Sequence, residues 1–188
     1  MTHHFAVFPT AIGHCGIAWR GDASEGLIGS QLPAQDEAAL RSIMQQRFSG
    51  AVEAEPPPPV REAIVRVQRL LAGELVDHLE LLCVKLDDHD VPAFDRDVLR
   101  LTREIPVGQT RTYGEIAAAL GEPGAARAVG RAEGHNPFAP IVPCHRVMGA
   151  GGAPTGFSAP GGLEAKRQLL LIEARAAGQL AGDQQPLF

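Results

Sequence analysis

The sequence predicts a mixed fold of helices and strands (α+β or α/β), with a small sheet in the N-terminal half and a mostly helical C-terminal half. Three observations support this prediction. Short strand-like runs occur only before residue 90, at residues 5–8, 15–19 and 79–86. Helical patterns dominate after residue 91. The hydrophobic fraction of 45% over 188 residues is sufficient for a buried core.

The N-terminal half is expected to contain two helices beside its strands. Residues 35–48 place Leu40 and Met44 on one helical face. Four consecutive prolines at residues 56–59 form a stiff spacer, whose last proline can begin the second helix. The acidic residues 87–90 are most simply a turn in contact with solvent.

The C-terminal half is expected to contain four helices. The first covers residues 92–104. Thr112 is a suitable N-cap for a short helix at residues 113–120, which a glycine-containing turn connects to another at residues 125–134. Two short helices joined in this way form a helix-turn-helix pattern. A last helix is expected at residues 163–174.

These boundaries divide the chain into three parts. We expect an N-terminal α/β domain at residues 1–90 and a second domain at residues 91–176. Residues 177–188 are rich in small and polar side chains and are expected to form a flexible tail.

Composition limits the classes of protein. No apolar run approaches the roughly 20 residues of a membrane span, and no secretory signal is visible. Three cysteines without disulfide-framework spacing favour a reducing cytoplasm. Residues 101–188 carry 8 Arg and Lys against 7 Asp and Glu, although the whole chain has a net charge of -5. The acidic half is therefore the less suitable one for contact with phosphates.

The most informative segment is the dipeptide Cys144-His145 within an apolar run. A thiolate attacks electrophiles, and a neighbouring imidazole or cation can lower the pKa of the thiol enough to populate it. A free cysteine is also often only a small buried side chain, so the dipeptide alone leaves both interpretations open.

The predicted helix at residues 125–134 is composed largely of small side chains, including Ala126. Arg127 and Arg131 lie one turn apart on one face of it. Small side chains allow close approach to another surface, and the arginines add cationic reach, which favours contact with a nucleic-acid backbone over reading of base edges. Tight packing against a neighbouring helix, with the arginines in solvent, is the alternative.

Glu173 is expected on the apolar face of the last helix, because it follows Leu169 and Leu170 by four and three residues. A buried carboxylate requires a partner. Pairing with His145 would fix the imidazole tautomer and leave its other nitrogen free to take the Cys144 proton. A solvent-exposed glutamate at the helix end is the alternative.

Several motifs resemble those of the O6-alkylguanine-DNA alkyltransferases. They occur in the order and approximate spacing of that family, at residues 105–117 (IPVGQTRTYGEIA), 124–130 (GAARAVG), 136–137 (NP), 143–147 (PCHRV) and 161–166 (GGLEAK), followed by Glu173. The resemblance covers residues 92–175. It implies a ribonuclease H-like N-terminal domain and a winged-helix-like C-terminal domain with the helix-turn-helix.

The resemblance also implies residue roles. Cys144 is the alkyl acceptor, His145 a base that acts through water, Glu173 its orienter and Asn136 a brace of the adjacent turn. DNA contacts fall to Tyr113, Ala126, Arg127 and Arg131, with Arg127 filling the space left by a flipped nucleotide. The guanine pocket is lined by Val147, Phe157 and Ser158.

The implied activity is DNA repair by direct reversal. An alkyl group moves once from O6-alkylguanine, or from O4-alkylthymine, in double-stranded DNA to Cys144, without a metal or an organic cofactor. The implied protein is a cytoplasmic monomer with no membrane partner.

Three other functions are alternatives to DNA repair: a lesion sensor, a hydrolase and a metal-binding protein. A lesion sensor that does not repair DNA typically lacks the acceptor cysteine, which is present here. A Cys-His hydrolase usually has its cysteine and histidine far apart in sequence. Pairs such as His14-Cys15 lack ordinary zinc spacing, and Cys15 and Cys83 are expected to be buried strand residues.

The last five residues, 184–188 (QQPLF), resemble a bacterial sliding-clamp binding motif. A tether of this kind would raise the local concentration of the protein at newly replicated DNA. Folding of Leu187 and Phe188 onto the protein's own surface is an equally good interpretation.

Overall fold

The computed structural model describes residues 2–75 and 77–179. Its N-terminal half contains a four-stranded sheet, in the order β3-β2-β1-β4. Its strands are β1 (His3–Thr10), β2 (Gly13–Arg20), β3 (Leu27–Gln31) and β4 (Val52–Glu53). Strand β2 runs antiparallel to both β1 and β3, whereas β4 runs parallel to β1.

One helix covers each face of this sheet. Helix α1 (Glu37–Arg47) packs Leu40 and Met44 against Phe5, and helix α2 (Pro58–Leu71) lies with the cluster that contains Phe8. Neighbouring side chains of a strand point to opposite faces, so Phe5 and Phe8, three residues apart, belong to different cores. Prolines occupy the first two positions of α2, where no backbone N–H is required.

The prediction of a strand at residues 79–86 is wrong. A single helical turn, α3 (Leu79–Leu82), stands there, and Leu86 forms only an isolated bridge to Leu27. Sequence analysis missed three strands of two residues each, β4 and two in the C-terminal half, and also the longer β3, whose five residues are all buried. A segment buried on both sides lacks the alternating polar pattern that reveals a half-exposed strand.

Two further predictions for this region need correction. Cys83 is exposed and follows α3 instead of lying buried in a strand. Asp87 is buried rather than solvated, and its carboxylate lies 2.7 Å from Nδ1 of His89 and 3.5 Å from Nε of Arg20. These partners compensate for its removal from water.

The C-terminal half is mostly helical, as predicted. Its helices are α4 (Ala93–Arg103), α5 (Tyr113–Ala119), α6 (Ala126–Gly134) and α7 (Gly162–Ala176). Two short parallel strands, β5 (Arg111–Thr112) and β6 (Val147–Met148), pair between them. Thr112 and Glu115 form a capping box at the start of α5, which fixes where the helix-turn-helix begins.

The two halves share hydrophobic clusters. Ile141 and Leu169 belong to the cluster under α2, and Phe138 packs against Leu86. The mixed α+β class predicted from the sequence is confirmed by this arrangement. No helix within the described ranges is long and apolar enough to cross a membrane.

Only the beginning of the predicted tail is described. Helix α7 ends at Ala176, and Nε2 of Gln179 donates a hydrogen bond to the carbonyl oxygen of Gly108 at 2.8 Å. The clamp-like motif at residues 184–188 lies outside the described residues.

Candidate active site

Cys144 begins a 3₁₀ turn (Cys144–Arg146) that follows Pro143, and its side chain is only 8% exposed. Its backbone N–H donates to the carbonyl oxygen of Val142 at 2.9 Å. The residue forms part of the wall of a cavity of about 260 Å³. A small molecule or a single base can therefore reach a thiol that bulk solvent hardly touches.

Asn136 braces the loop that leads to Cys144. Its Nδ2 donates to the carbonyl oxygen of Val142 at 2.8 Å, and its Oδ1 accepts from the backbone N–H of Phe138 at 2.9 Å. The nitrogen and the oxygen of the side-chain amide are thus both used to close the segment between α6 and the 3₁₀ turn. Asn136 also lines the cavity.

His145 and Glu173 are paired, as the sequence predicted. Nε2 of His145 lies 2.7 Å from Oε1 of Glu173, and both side chains are buried. Burial tends to raise the pKa of Glu173, but the opposite charges of His145 and Arg146 and their hydrogen bonds lower it to about 2. The carboxylate is therefore ionised at neutral pH and accepts the hydrogen carried by Nε2.

This pairing leaves Nδ1 of His145 as the basic nitrogen. Nδ1 is buried and has no hydrogen-bond partner among the described residues. Burial lowers the pKa of the His145 imidazole, and Glu173 opposes that effect only in part. A neutral imidazole with its Nε2 protonated carries its free lone pair on Nδ1, so this atom can take a proton.

Arg146 is a site residue that sequence analysis did not identify. It is fully buried, and its Nε and Nη2 donate to the Glu173 carboxylate at 2.8 and 2.9 Å, while its Nη1 donates to the carbonyl oxygen of Ile105 at 2.5 Å. This two-pronged pair fixes the carboxylate in position. Its place next to Cys144-His145 was visible in the sequence, but nothing there revealed its burial.

The sequence left open whether Cys144 is a reactive thiolate or a neutral buried thiol, and its burial favours the neutral thiol. Burial raises the pKa of its thiol to about 12, with a further contribution from the nearby Glu133. Asn136 and Lys166 act in the opposite direction without reversing the effect. The thiol is consequently neutral at rest, and a thiolate requires transfer of its proton to a base.

Glu133 and Lys166 are two further buried titratable groups near Cys144 that the sequence did not reveal. Lys166 donates to the carbonyl oxygens of Val147 and Thr155 at 2.5 and 2.9 Å. Glu133 lines the cavity at the end of α6. Neither residue clearly changes the amphipathic pattern of its helix, so the sequence did not predict that either side chain is buried.

The predicted pocket residues do not all reach the cavity. Phe157 and Ser158 line it, and Oγ of Ser158 donates to the carbonyl oxygen of Gly134 at 2.9 Å. Val147 is fully buried in the hydrophobic cluster of the C-terminal half and is not among the described residues that line the cavity. Its contribution to this region is the carbonyl group that holds Lys166.

The predicted DNA-contacting residues lie on the helix-turn-helix. Arg127 and Arg131 are exposed on α6, and Ala126 is partly buried at its first position. Tyr113, at the start of α5, donates its hydroxyl to the carbonyl oxygen of Thr155 at 2.9 Å. Tyr113 therefore connects the helix-turn-helix to the segment between β6 and α7, which contributes Phe157 and Ser158 to the cavity.

Chemically, the buried thiol of Cys144 lines a small cavity, and the next two residues in the chain supply a neutral imidazole oriented by a carboxylate and a buried guanidinium. Such groups suit transfer of an electrophilic carbon to sulfur, with removal of the thiol proton. Within the described ranges, no group of three or more His, Cys, Asp or Glu side chains is placed to hold a metal ion.

The fold and cavity define an α+β protein with a helix-turn-helix and a buried cysteine beside a histidine–glutamate pair. A family model described as the DNA-binding domain of 6-O-methylguanine DNA methyltransferase matches residues 93–175. The methylated-DNA–protein-cysteine methyltransferase of Mycobacterium bovis is 48% identical over 93% of this chain and 94% of its own length. This chain belongs to the methylated-DNA–protein-cysteine methyltransferase family.

Other relatives agree with this membership. The protein of the same name from Methanosarcina acetivorans is 41% identical over 79% of this chain and 94% of its own length. Among solved structures, Mycobacterium tuberculosis OGT in complex with DNA matches with a TM-score of 0.72 and 36% identity, covering 92% of this chain and 94% of that one. The O6-methylguanine-DNA methyltransferase of Pyrococcus kodakaraensis matches with a TM-score of 0.66 and 27% identity, covering 90% and 98%.

Proposed function

We propose that this chain repairs double-stranded DNA by moving the alkyl group of O6-alkylguanine, and of O4-alkylthymine, to Cys144. Family membership supports the reaction class. The observation that carries the assignment to this residue is the position of Cys144 in the wall of a base-sized cavity, next in sequence to the His145–Glu173 pair.

Proton transfer comes first in the proposed reaction. The Cys144 proton passes to Nδ1 of His145, through water, while Glu173 stabilises the imidazolium that forms. The thiolate sulfur then attacks the alkyl carbon. A carbon–sulfur bond forms, the bond from that carbon to O6 breaks, and the electron pair remains with the guanine, which takes up a proton.

The raised pKa of the Cys144 thiol fits this sequence of events. A permanently ionised cysteine would react with any electrophile that entered the cavity. A thiol with a pKa of about 12 reacts appreciably only when its proton can move to His145. Reactivity is thereby restricted to a substrate held in line with the sulfur.

The lesion must leave the base stack before it can reach Cys144. Extruding a nucleotide costs a few kcal/mol. Arg127 is the second residue of α6 and Glu133, at the cavity, is its last but one, so at 1.5 Å per residue the two lie about 9 Å apart along the helix axis. We assign Arg127 to the gap left in the duplex and Tyr113 to the phosphate beside it, with Ala126 and Arg131 against the backbone.

The proposed reaction is used once per protein chain. A thioether on Cys144 has no good leaving group, so the thiol is not restored. The product is an inactive alkylated protein and a repaired base.

A conversion assay tests this function. Duplex DNA that carries one O6-methylguanine is incubated with the wild-type protein and with a Cys144→Ser variant, and the DNA is then digested and its bases are quantified. We expect guanine to replace O6-methylguanine only with the wild type. Binding of the duplex without conversion by the wild type would instead support the non-repairing lesion sensor.

We also propose a cytoplasmic monomer that can contact a sliding clamp through residues 184–188. All three cysteines are free thiols, which suits a reducing compartment. Light scattering gives the oligomeric state. Clamp binding is measured for the full chain and for a Leu187→Ala, Phe188→Ala double variant, and no binding by the full chain at high micromolar concentration contradicts the tether.

A further inference from the structure

Glu133 is buried where the proposed reaction needs an acid. It is the last but one residue of α6, its side chain is 5% exposed, and it lines the cavity together with Cys144. Its Oε1 accepts a hydrogen bond from the hydroxyl of Thr102. Its Oε2 is buried and has no partner among the described residues. One oxygen of this carboxyl group is therefore anchored, and the other is unused.

We propose that Glu133 is a catalytic residue that delivers a proton to the departing base. This inference rests on the proposed function. In O6-alkylguanine the ring nitrogen N1 has no hydrogen and accepts hydrogen bonds, whereas in guanine N1 carries a hydrogen. The base must gain that hydrogen during repair, and Glu133 is a cavity-lining residue whose carboxyl group, with Oε2 unpartnered among the described residues, can supply it.

The proton and electron balance is complete. The Cys144 sulfur forms its bond to the alkyl carbon as the bond from that carbon to O6 breaks. The electron pair that leaves with the base takes the proton of the Glu133 carboxyl group at N1. Glu133 ends as a carboxylate and His145 as an imidazolium, so one proton has moved on each side of the reacting carbon.

The surroundings of Glu133 favour the protonated form that this role requires. Burial raises the pKa of Glu133 to about 8, against the hydrogen bond from Thr102 and the positive charge of Lys166. Tyr113 and Cys144 are the other titratable groups that interact with it. Two further charged or titratable side chains line the same cavity: Arg47 and His135. At neutral pH the carboxyl group is therefore mostly neutral and able to donate.

Neutral Glu133 also avoids a conflict with the nucleophile. As a carboxylate it raises the pKa of the Cys144 thiol and so opposes formation of the thiolate. As an acid it removes this obstacle during the attack. It becomes charged only after the sulfur has been alkylated, and Lys166 then stands nearby as a counter-charge.

The test compares Glu133→Gln with wild type in single-turnover methyl transfer at saturating duplex. Glutamine keeps the size of the side chain and can still bond Thr102, but it has no proton to give. We expect transfer to slow by about 100-fold, which is typical for loss of a general acid. The matched control Glu122→Gln, in the exposed turn before α6, should retain the wild-type rate.

Iodoacetamide separates this role from an effect on the thiol. Its leaving group, iodide, needs no proton. At about pH 6.5, where Glu133 is neutral, Glu133→Gln and wild type should alkylate Cys144 with iodoacetamide at equal rates. Equal slowing with iodoacetamide and with DNA overturns the proposal, as does an unchanged rate with DNA.

The pH profile supplies a second measurement that does not depend on the glutamine variant folding. Methyl transfer by wild type should fall as the pH rises through about 8, and Glu133→Asp should keep such a fall. A profile that stays flat across this range overturns the proposal. If wild type leaves Cys144 unmethylated at every pH, the proposed function itself fails. Methylated wild type with an equally fast Glu133→Gln removes only the assignment of Glu133.

Discussion

Oε1 of Glu173 lies 2.7 Å from Nε2 of His145, although the two residues are 28 positions apart in the chain. The same carboxylate accepts two hydrogen bonds from Arg146. One buried anion thus fixes the orientation of the imidazole and neutralises a buried guanidinium. Orientation of the base and stability of the fold therefore depend on a single side chain, and the two effects can be measured separately.

Glu173→Gln is expected to slow methyl transfer by about 100-fold, because the imidazole loses the carboxylate that orients and stabilises it. It should also lower the free energy of unfolding by about 3–5 kcal/mol, since Arg146 is left as an unpaired buried charge. Rapid-quench transfer assays and urea unfolding measure the two effects. Glu164→Gln, at an exposed position of the same helix, is the control and should change neither. An unchanged transfer rate in folded Glu173→Gln would contradict the role given to this pair.

The low pKa of Glu173 predicts loss of stability in acid. Its pKa is about 2 in the folded protein against a usual 4.5, so its contribution is fully present above pH 4.5 and is lost as the pH falls toward 2. The expected size is roughly 3 kcal/mol. Unfolding curves of wild type and Glu173→Gln between these pH values should converge as the pH falls, and parallel curves would show that the pair is not ionised.

Glu133 predicts the opposite dependence at higher pH. Its pKa is raised from 4.5 to about 8, so the stability of the folded protein is greatest below pH 4.5 with respect to this group and declines as the pH rises through 8. Glu133→Gln should be less sensitive to pH over that range, and more stable than wild type above it by several kcal/mol. Thermal unfolding at several pH values measures this difference. Superimposable pH dependences would show that the carboxyl group is not buried in solution.

Arg127→Ala should slow repair of duplex DNA by about 100-fold, equivalent to losing a few kcal/mol of support for the flipped nucleotide. It should leave reaction with free O6-benzylguanine unchanged, because a free base needs no flipping. Arg100→Ala, which removes an exposed arginine of α4, is the matched control. Equal losses on both substrates would indicate a defect of folding in place of a role in flipping.

Asn136→Ala should loosen the loop before Cys144. The substitution leaves the carbonyl oxygen of Val142 and the N–H of Phe138 without their amide partner, at a cost of about 1–3 kcal/mol. Transfer should slow with DNA and with iodoacetamide alike, because the position of the sulfur itself changes. Equal iodoacetamide reactivity in the variant and in wild type would contradict this account.

Sequence patterns predict best those features that depend on residues close together in the chain. Thr112 predicts the start of α5, and the spacing of Glu173 from Leu169 and Leu170 predicts that its carboxylate lies on the buried face. The failures have a common physical origin. Strand β3 and the buried carboxylates Asp87 and Glu133 depend on what covers them, which is set by segments far away in the chain.

The protonation of Cys144 shows the same limit most clearly. The adjacent histidine left open both a thiolate and a neutral buried thiol. The His145 side chain pairs with Glu173, and burial of Cys144 favours the neutral thiol. The sequence around Cys144 predicts where the site lies, whereas burial determines whether its thiol is protonated at rest.

The proposed function requires a single alkyl transfer to Cys144. This transfer is measured by intact-protein mass spectrometry with peptide mapping, after incubation with an excess of duplex carrying one O6-methylguanine. We expect every chain to gain one methyl group, located on the peptide that contains Cys144, and repair to stop at one lesion per chain. A methyl group on Cys15 or Cys83, or repair that continues beyond one lesion per chain, would contradict the proposed function.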